Sequence, residues 1–155
     1  MKNSIGLNQE QSKKVAGKLN DLLANYQVFY QNLRGFHWNI KGKNFFELHL
    51  KFEELYDDAV LKVDEIAERI LTLGEVPLHT FEDFLQQSQI KSHKEDRVDA
   101  DIVNVIVANF SILIAKERII LEEAAAVNDE GTVSQMSDYI TETEKTLWML
   151  QAYLG

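Results

Sequence analysis

Apolar residues recur every three or four positions along most of this chain, and that spacing places them on one face of an α-helix. The first run of this kind follows a candidate N-cap, Asn8, and continues to about Trp38. The second follows Asn44 and ends at Gly74, a residue type suited to the end of a helix. Residues 39–43 between the two runs are mostly polar, include a glycine and predict a turn. The first half of the chain is therefore predicted to form two long helices.

The second half of the chain has the same helical spacing, with polar interruptions. A threonine followed three residues later by an aspartate is similar to a capping box and predicts the start of a short helix. A polar stretch that contains a glycine separates two further long runs. The predicted elements are, in order, a short helix from Thr80 to about Gln86, a loop over 87–95, a long helix from about Asp96 to Val127, and a last helix from Thr132 to about Tyr153.

Four long helices, with a short helix in the crossover between the second and third, predict an all-α four-helix bundle. One proline and seven glycines in 155 residues fit a chain with few turns. The sequence contains no repeat, low-complexity segment or interdomain linker, and its length suits one hydrophobic core. We therefore expect residues 1–155 to form a single domain.

Composition and charge narrow the range of functions. With 45% hydrophobic and 26% charged residues, the chain is typical of a globular protein. It has no apolar run near the roughly eighteen residues of a membrane span and no signal-peptide core at its start, so a cytoplasmic location without membrane contact is expected. The absence of cysteine excludes disulfides and thiolate metal sites. A net charge of −9 disfavours nucleic acid as a partner and favours cations.

Histidines and acids at helical spacing are the strongest candidates for chemistry. His37 and His49 lie twelve positions apart, and Glu53 follows His49 by four positions, about one helical turn. Asp64 and Glu68 form a second pair, four positions apart, on the same predicted helix. Imidazole nitrogen together with carboxylate oxygen suits iron, manganese or zinc. The two groups lie on a similar side of the helix, so they are candidates for one shared metal site.

Helical rise shows that one chain cannot bring the two groups to the same metal ion. Glu53 and Asp64 are eleven positions apart, and therefore about 16 Å apart along a straight helix. They can share a site only if two copies of the helix run antiparallel about a twofold axis near residues 58–59. Such a dimer would contain two identical sites, and the turn before the second helix would bring His37 to the first group.

Of two other interpretations, the residues disfavour the first and leave the second open. A di-iron site inside one bundle uses Glu-x-x-His motifs on two helices, but none of the residues three positions before the four histidines is acidic. Those residues are Arg34, Phe46, Val76 and Ile90. More simply, His37 could be a packed or hydrogen-bonded histidine, and the acids could be part of a solvated helix face.

The same residues carry a resemblance to a known family. The chain resembles the Dps family, the mini-ferritins or DNA-protection-during-starvation proteins, in three motifs: His37-Trp38, His49-x-x-x-Glu53 and Asp64-Glu65-Ile-Ala-Glu68-Arg69. The resemblance covers nearly the whole chain, including the short crossover helix. It implies a ferritin-like bundle and a dodecameric homo-oligomer with di-iron ferroxidase centres at twofold subunit interfaces. By position, it implies that one subunit supplies His37, His49 and Glu53, and its partner Asp64 and Glu68.

The resemblance also implies a reaction. Fe(II) would be oxidised to Fe(III), preferably by hydrogen peroxide, and stored as a ferric mineral inside the shell, which would protect against oxidative damage. Trp38, beside the site, would donate electrons or quench radicals, and filling the dimer interface is an equal alternative for this residue. The family often has Asp where this chain has Glu53, and the longer side chain could alter occupancy of the second iron position.

Further expectations concern the remaining polar residues. Asp129, Glu130 and Asp138 are candidates for lining a threefold iron pore, and His79 and His93 are expected at the surface. The alternative function is DNA compaction, as the family name suggests.

Direct DNA binding is not expected for this chain. Family members that bind DNA generally do so through an extended basic tail, whereas only Lys2 precedes the first predicted helix. A shell of twelve such chains would carry a charge on the order of −100, which phosphate binding would have to overcome.

Overall fold

The structure, a computed structural model, describes residues 1–94 and 98–155, and these residues form five helices. The helices are α1 (Gln9–Asn39), α2 (Phe45–Thr72), α3 (Phe81–Gln87), α4 (Asp99–Ala126) and α5 (Glu130–Leu154). The long helices α1, α2, α4 and α5 form the predicted four-helix bundle, and the short α3 lies in the crossover between α2 and α4. The prediction of an all-α fold is confirmed. The predicted helix start at Asp96 and the end of the predicted loop lie outside the described residues.

Local signals explain most helix ends. The side chain of Asn8 accepts a hydrogen bond from the Gln11 backbone N–H at 3.0 Å, as expected of an N-cap. Asn44 occupies the N-cap position of α2 but makes no side-chain capping bond. Its amide instead donates to Asp99 Oδ2 at 2.7 Å, at the start of α4. The last helix begins at Glu130, two residues before the predicted start.

A continuous apolar core joins the four long helices. The α1–α2 and α4–α5 hairpins pack against each other, mainly through α1 and α4, and α3 packs on α1. Fully buried residues come from every long helix, including Leu19, Phe29, Phe52, Ile66, Ile106, Ile120 and Met136. The core is therefore the apolar stripe that the helical spacing predicted.

Two asparagines on α1 hold the crossover to the bundle. The fully buried Asn25 accepts backbone N–H bonds from Gln89 and Ile90, both at 3.0 Å. Asn32 accepts the backbone N–H of His93 at 3.0 Å and donates to the Lys91 carbonyl at 2.9 Å. These bonds satisfy the backbone of a segment without secondary structure, and so they fix its path across the bundle.

Residues 1–8 fold back on the start of α1 and do not extend from it. The backbone N–H of Gln9 donates to the Met1 carbonyl at 3.0 Å, and Asn3 donates to the Leu7 carbonyl at 2.7 Å. An isolated β-bridge pairs Lys2 with Asn8. The single basic side chain before α1 therefore belongs to a compact turn.

Among the described residues, no helix is both long enough and apolar enough to cross a membrane.

Candidate metal site

His37, at the end of α1, and His49, in α2, lie face to face. Their ring centroids are 3.7 Å apart, and the ring planes differ by 12°. Each ring is fixed by the backbone of the other residue: His37 Nδ1 lies 2.6 Å from the His49 carbonyl oxygen, and His49 Nδ1 lies 2.7 Å from the His37 carbonyl oxygen. The turn between α1 and α2, with Gly42 at a φ of +124°, brings the two helices into this arrangement.

These reciprocal bonds determine which ring nitrogens can bind a metal. A carbonyl oxygen only accepts hydrogen bonds, so Nδ1 must carry the hydrogen in both rings. A neutral imidazole protonated on Nδ1 has its lone pair on Nε2. The backbone therefore selects the tautomer in which both Nε2 atoms are available as ligands, the role that outer hydrogen bonds play in metal sites.

Aromatic side chains pack around the two imidazoles. Phe45 stacks on His49 with its centroid 4.8 Å away, and Tyr56 meets the His37 ring edge to face at 5.3 Å. His37 is 7% exposed, whereas His49 is half-buried. His37 is therefore a packed histidine. This packing does not prevent metal binding, because within the described residues Nδ1 makes the hydrogen bond and Nε2 makes none.

Glu53 lies one helical turn after His49 and is half-buried. The Tyr56 hydroxyl donates to Glu53 Oε1 at 3.3 Å. Burial, together with the nearby Glu53 carboxylate, raises the pKa of the Tyr56 phenol. Tyr56 therefore contacts both the His37 ring and the Glu53 carboxylate, which makes it a link between two of the predicted ligands.

Trp38 and Arg34 flank the histidine pair. Trp38 is 56% exposed in the single chain, and the Arg34 guanidinium carbon lies 4.8 Å from the centroid of its ring. The same guanidinium lies 6.0 Å from the Tyr56 ring and donates to the Tyr30 hydroxyl at 3.4 Å. A cation therefore lies over the Trp38 and Tyr56 rings beside the site, a contact that was not among the sequence-based predictions.

Asp64 and Glu68 are exposed on α2, one turn apart. A side-chain hydrogen bond between the two carboxyl groups, reinforced by the negative charge of Asp64, raises the pKa of Glu68. Two neighbouring carboxylates repel each other, and a bound cation relieves that repulsion. The pair is therefore suited to binding a cation through its oxygens.

The single chain brings the predicted ligands together only in part. His37 and His49 are in contact, as are Asp64 and Glu68. In residues 1–94 and 98–155, however, no three His, Cys, Asp or Glu side chains are close enough to hold a metal ion. Glu53 is therefore not gathered with the two histidines into a three-ligand site within the chain.

An apolar groove lies beside the histidine pair. It has a volume of about 870 Å³ and runs between α1, α2 and α3. Its walls include Tyr30 and Arg34 from α1, and Val63 from α2. Two large apolar side chains that line it, Phe81 and Leu85, are exposed. This side of the chain therefore combines candidate ligands with an apolar surface.

One predicted pore residue is wrong. Asp129 is 1% exposed, and its carboxylate accepts bonds from Arg69 at 2.6 Å and from the Thr132 backbone N–H at 3.1 Å. Arg69 reaches it across Gly131, where an added Cβ would lie 2.7 Å from the guanidinium. Asp129 is therefore the N-cap of α5, a buried position that cannot line a pore.

Glu130 and Asp138 are exposed in the single chain, so their assignment to a pore stays a prediction. His79 and His93 are exposed, as predicted, although His93 contacts the Phe36 ring.

Comparison with known proteins shows extensive similarity. The Ferritin family, described as a ferritin-like domain, matches residues 16–155. An uncharacterized protein of Haemophilus influenzae is 52% identical over 151 residues, which cover 97% of this chain and 94% of the relative. The DNA protection during starvation protein of Porphyromonas gingivalis is 44% identical over 148 residues, which cover 96% of this chain and 93% of the relative.

A solved structure has nearly the same fold. The crystal structure of a Dps protein from Vibrio cholerae O1, described as a member of a broad superfamily of ferritin-like diiron-carboxylate proteins, matches with a TM-score of 0.98 at 55% identity. The match covers 99% of this chain and 97% of that one.

Proposed function

The chain belongs to the Dps family of ferritin-like proteins, and from that membership we propose that it is a ferroxidase. It oxidises Fe(II), preferably with hydrogen peroxide, at di-iron sites between two subunits, and it stores the Fe(III) product inside a dodecameric shell. The observation that carries the proposal is the histidine pair, in which two backbone carbonyls hold both Nδ1–H groups and leave both Nε2 atoms for a metal.

The distribution of the candidate ligands supports a site shared by two chains. The histidine pair lies where the end of α1 meets α2, the acid pair lies further along α2, and within the described residues neither is a complete site. An antiparallel arrangement of two α2 helices brings the histidines and Glu53 of one subunit to Asp64 and Glu68 of the other. Each subunit pair then holds two equivalent sites.

The exposed apolar side chains support the same arrangement. Phe81 and Leu85 line the groove and are 80% and 57% exposed, and Trp38, next to His37 in the chain, is 56% exposed. Clustered exposed apolar residues mark contact surfaces on proteins. A second copy of the chain that covers them also brings its acid pair towards the histidines. Filling the interface is therefore part of the role of Trp38.

The proposed reaction balances with two iron ions per peroxide: two Fe(II), one H₂O₂ and two protons give two Fe(III) and two water molecules. Each imidazole binds through a neutral nitrogen, and the carboxylates supply the anionic oxygens that favour the more highly charged Fe(III). The neighbouring charges of Asp64 and Glu68 repel each other, and bound iron relieves that repulsion. Two adjacent Fe(II) ions give both electrons to one peroxide, so no hydroxyl radical is released.

An acidic groove supports movement of the product away from the site. The groove has a volume of about 610 Å³ between α2 and α5 and includes Glu68, one of the proposed ligands. Its other acids include Glu65, Asp138 and Glu142. Fe(III) that leaves the site therefore meets a surface rich in carboxylate oxygens, which suits the start of a ferric mineral.

The reaction is tested on the assembled protein. Fe(II) is added without oxygen, hydrogen peroxide is then titrated in, and Fe(III) absorbance is followed together with a spin trap for hydroxyl radical. The proposal predicts an end point at two Fe(II) per peroxide and little trapped radical. As much trapped radical as in protein-free buffer would contradict it, even at the same end point, because hydroxyl radical can itself oxidise a second Fe(II).

DNA compaction remains the alternative function because the Porphyromonas gingivalis relative carries the DNA-protection name. The folded-back segment 1–8 and the net charge of −9 disfavour it. A gel shift at low salt discriminates the two: we expect no retardation of DNA by the assembled protein, and tight binding would favour the alternative.

A further inference from the structure

Tyr56 lies on the same face of α2 as two of the proposed ligands. His49, Glu53 and Tyr56 are separated by four and then three positions, so their side chains follow one another along one side of the helix. The Tyr56 hydroxyl donates to Glu53 Oε1 at 3.3 Å, and its ring meets the His37 ring edge to face at 5.3 Å. Tyr56 therefore contacts a proposed ligand from each of the two helices that supply the histidine pair.

Packing fixes the Tyr56 ring independently of its bond to Glu53. Besides His37, the Tyr30 ring meets it edge to face with the centroids 6.1 Å apart, and the Arg34 guanidinium carbon lies 6.0 Å from its centroid. A tyrosine side chain has few torsions, so a ring held on these sides also holds its hydroxyl in place. The glutamate chain has more torsions and is only half-buried. The hydroxyl is therefore the fixed partner, and the Glu53 carboxylate adapts to it.

The bond from Tyr56 distinguishes the two oxygens of Glu53. A carboxylate has lone pairs on both oxygens, and the hydroxyl takes one of those on Oε1. Within the described residues, Oε2 accepts no hydrogen bond. Hydrogen bonds to a ligating carboxylate orient it towards its metal ion. The geometry therefore leaves Oε2 as the oxygen of Glu53 that is available to a metal.

The length of the glutamate matters for this bond. An aspartate at the same position has one methylene fewer, so its carboxylate would lie closer to the α2 backbone and further from the Tyr56 hydroxyl. The observed separation of 3.3 Å is already long for a hydrogen bond between oxygens. Only the longer side chain therefore reaches the hydroxyl, and Glu53 and Tyr56 are a matched pair.

Tyr30 of α1 is a comparison within the same group of aromatic side chains. Its hydroxyl accepts a bond from Arg34 at 3.4 Å, and its ring contacts that of Tyr56. Within the described residues, however, no hydrogen bond or ring contact joins Tyr30 to a proposed ligand. Of the two neighbouring tyrosines, Tyr56 is the one whose hydroxyl orients a ligand.

We propose that Tyr56 is a positioning residue that holds Glu53 so that it binds iron through Oε2. The proposal rests on the ferroxidase site proposed above and adds to it a residue that is not itself a ligand. A flexible carboxylate that is ordered only when the metal binds costs affinity, because its torsions lose their freedom at that step. The Tyr56 hydroxyl orders the carboxylate in advance and so removes part of this cost.

The test is a double-substitution cycle on the assembled protein, with Co(II) as the probe. Tyr56→Phe keeps the ring that packs on His37 and removes only the hydroxyl. It should lower Co(II) affinity by about tenfold, the lower end of the effect of losing an outer contact in a metal site. In a Glu53→Asp background the same substitution should change the affinity by less than about twofold, because the bond is already absent. A residue that only supports the fold would weaken binding equally in both backgrounds.

The visible absorption of bound Co(II) is a second readout, because it reports the number and arrangement of the ligand atoms. The spectrum should differ between the parent and Tyr56→Phe, whereas in the Glu53→Asp background removal of the hydroxyl should leave it unchanged. Tyr30→Phe is the matched control and should bind Co(II) with the affinity and spectrum of the parent. Parent-like binding by Tyr56→Phe, equal losses in the two backgrounds, or an equal loss in Tyr30→Phe would overturn the proposal.

Each variant is first checked for helical content and assembly. If Tyr56→Phe fails to assemble, a crystal structure of the Co(II)-loaded parent decides. It should show Glu53 Oε2 on the metal and the Tyr56 hydroxyl on Oε1, and both oxygens on the metal with the hydroxyl bonded elsewhere would overturn the proposal. These outcomes are separate from the peroxide test, because Co(II) is bound and not oxidised. Failure of the ferroxidase reaction would leave the binding cycle intact, and failure of the cycle would leave the peroxide stoichiometry intact.

Discussion

Acidic residues lie both on the outer face of α2 and in the centre of the bundle, and the two groups differ in burial and in their partners. On the outer face, Asp64 and Glu68 are exposed, and in the part of the chain that the structure describes their carboxyl groups interact with each other. In the centre, Glu117 is fully buried and bound to Tyr26, while the Lys62 ammonium joins two further acids. The central groups are almost completely partnered within one chain. The outer acids are not, and this difference indicates that the outer face of α2 is the region that needs a second chain and a metal ion.

The largest effect is expected when an outer acid is removed. Asp64→Ala should lower the affinity for Co(II), a redox-inactive substitute for Fe(II), by about 100-fold, since loss of outer contacts alone costs 10–100-fold in metal sites. Its thermal midpoint should barely change, because substitution of an exposed side chain usually alters stability by less than about 0.5 kcal/mol. Co(II) absorbance titration and calorimetry measure the two quantities. Asp57→Ala, an exposed acid on the same helix, is the control and should bind Co(II) like the parent.

A second prediction concerns the charge of the buried acid Glu117. The pKa of Glu117 is raised to about 7 in the folded chain from 4.5. A raised acid pKa stabilises the fold fully below the unfolded pKa, and this contribution is lost as pH rises through the folded pKa. Between pH 5 and pH 8 the parent should therefore lose about 2–3 kcal/mol of unfolding free energy relative to Glu117→Gln. Urea unfolding at several pH values measures the difference, and parallel pH profiles for the two proteins would contradict it.

A third prediction concerns the ring that packs against His49. Phe45 stacks on His49, whereas its neighbour Phe46 is 81% exposed. Phe45→Ala should lower Co(II) affinity by up to about tenfold, because the ring that orients His49 is lost while the ligand remains. Phe46→Ala removes the same side chain next to it and should have little effect. Equal losses in the two variants would show that the stacking does not orient the imidazole.

The fold was largely predictable because its determinants are local. Helical spacing and the Asn8 cap require only neighbouring residues, and the predicted helices match the observed ones to within a few residues. Asn44 occupies the N-cap position of α2 without a side-chain capping bond, and its amide instead donates to Asp99, 55 positions away. The role of Asn25 in fixing the crossover has the same long-range character, with partners more than 60 positions away. Such contacts are not visible in a local pattern.

The site was predictable in its residue types but not in its geometry. The spacing of His37 and His49 indicated a pair, but the ring stacking and the tautomer depend on how the Gly42 turn closes. Arg34 precedes Trp38 by four positions, so their contact could have been anticipated from helical neighbours. The burial of Glu117 could also have been predicted, since it lies on the apolar stripe of α4, and an acid at such a position is normally paired.

The most direct test of the shared site mixes two inactive chains. His37→Ala and Asp64→Ala subunits are unfolded together and reassembled in equal amounts, and peroxide-driven oxidation of Fe(II) is compared with each variant alone. In a mixed pair of subunits, one of the two interface sites loses both residues and the other keeps both. Random pairing should therefore restore about a quarter of the parent's sites, and a similar share of its rate. A mixture no more active than the two variants measured separately would contradict the intersubunit site.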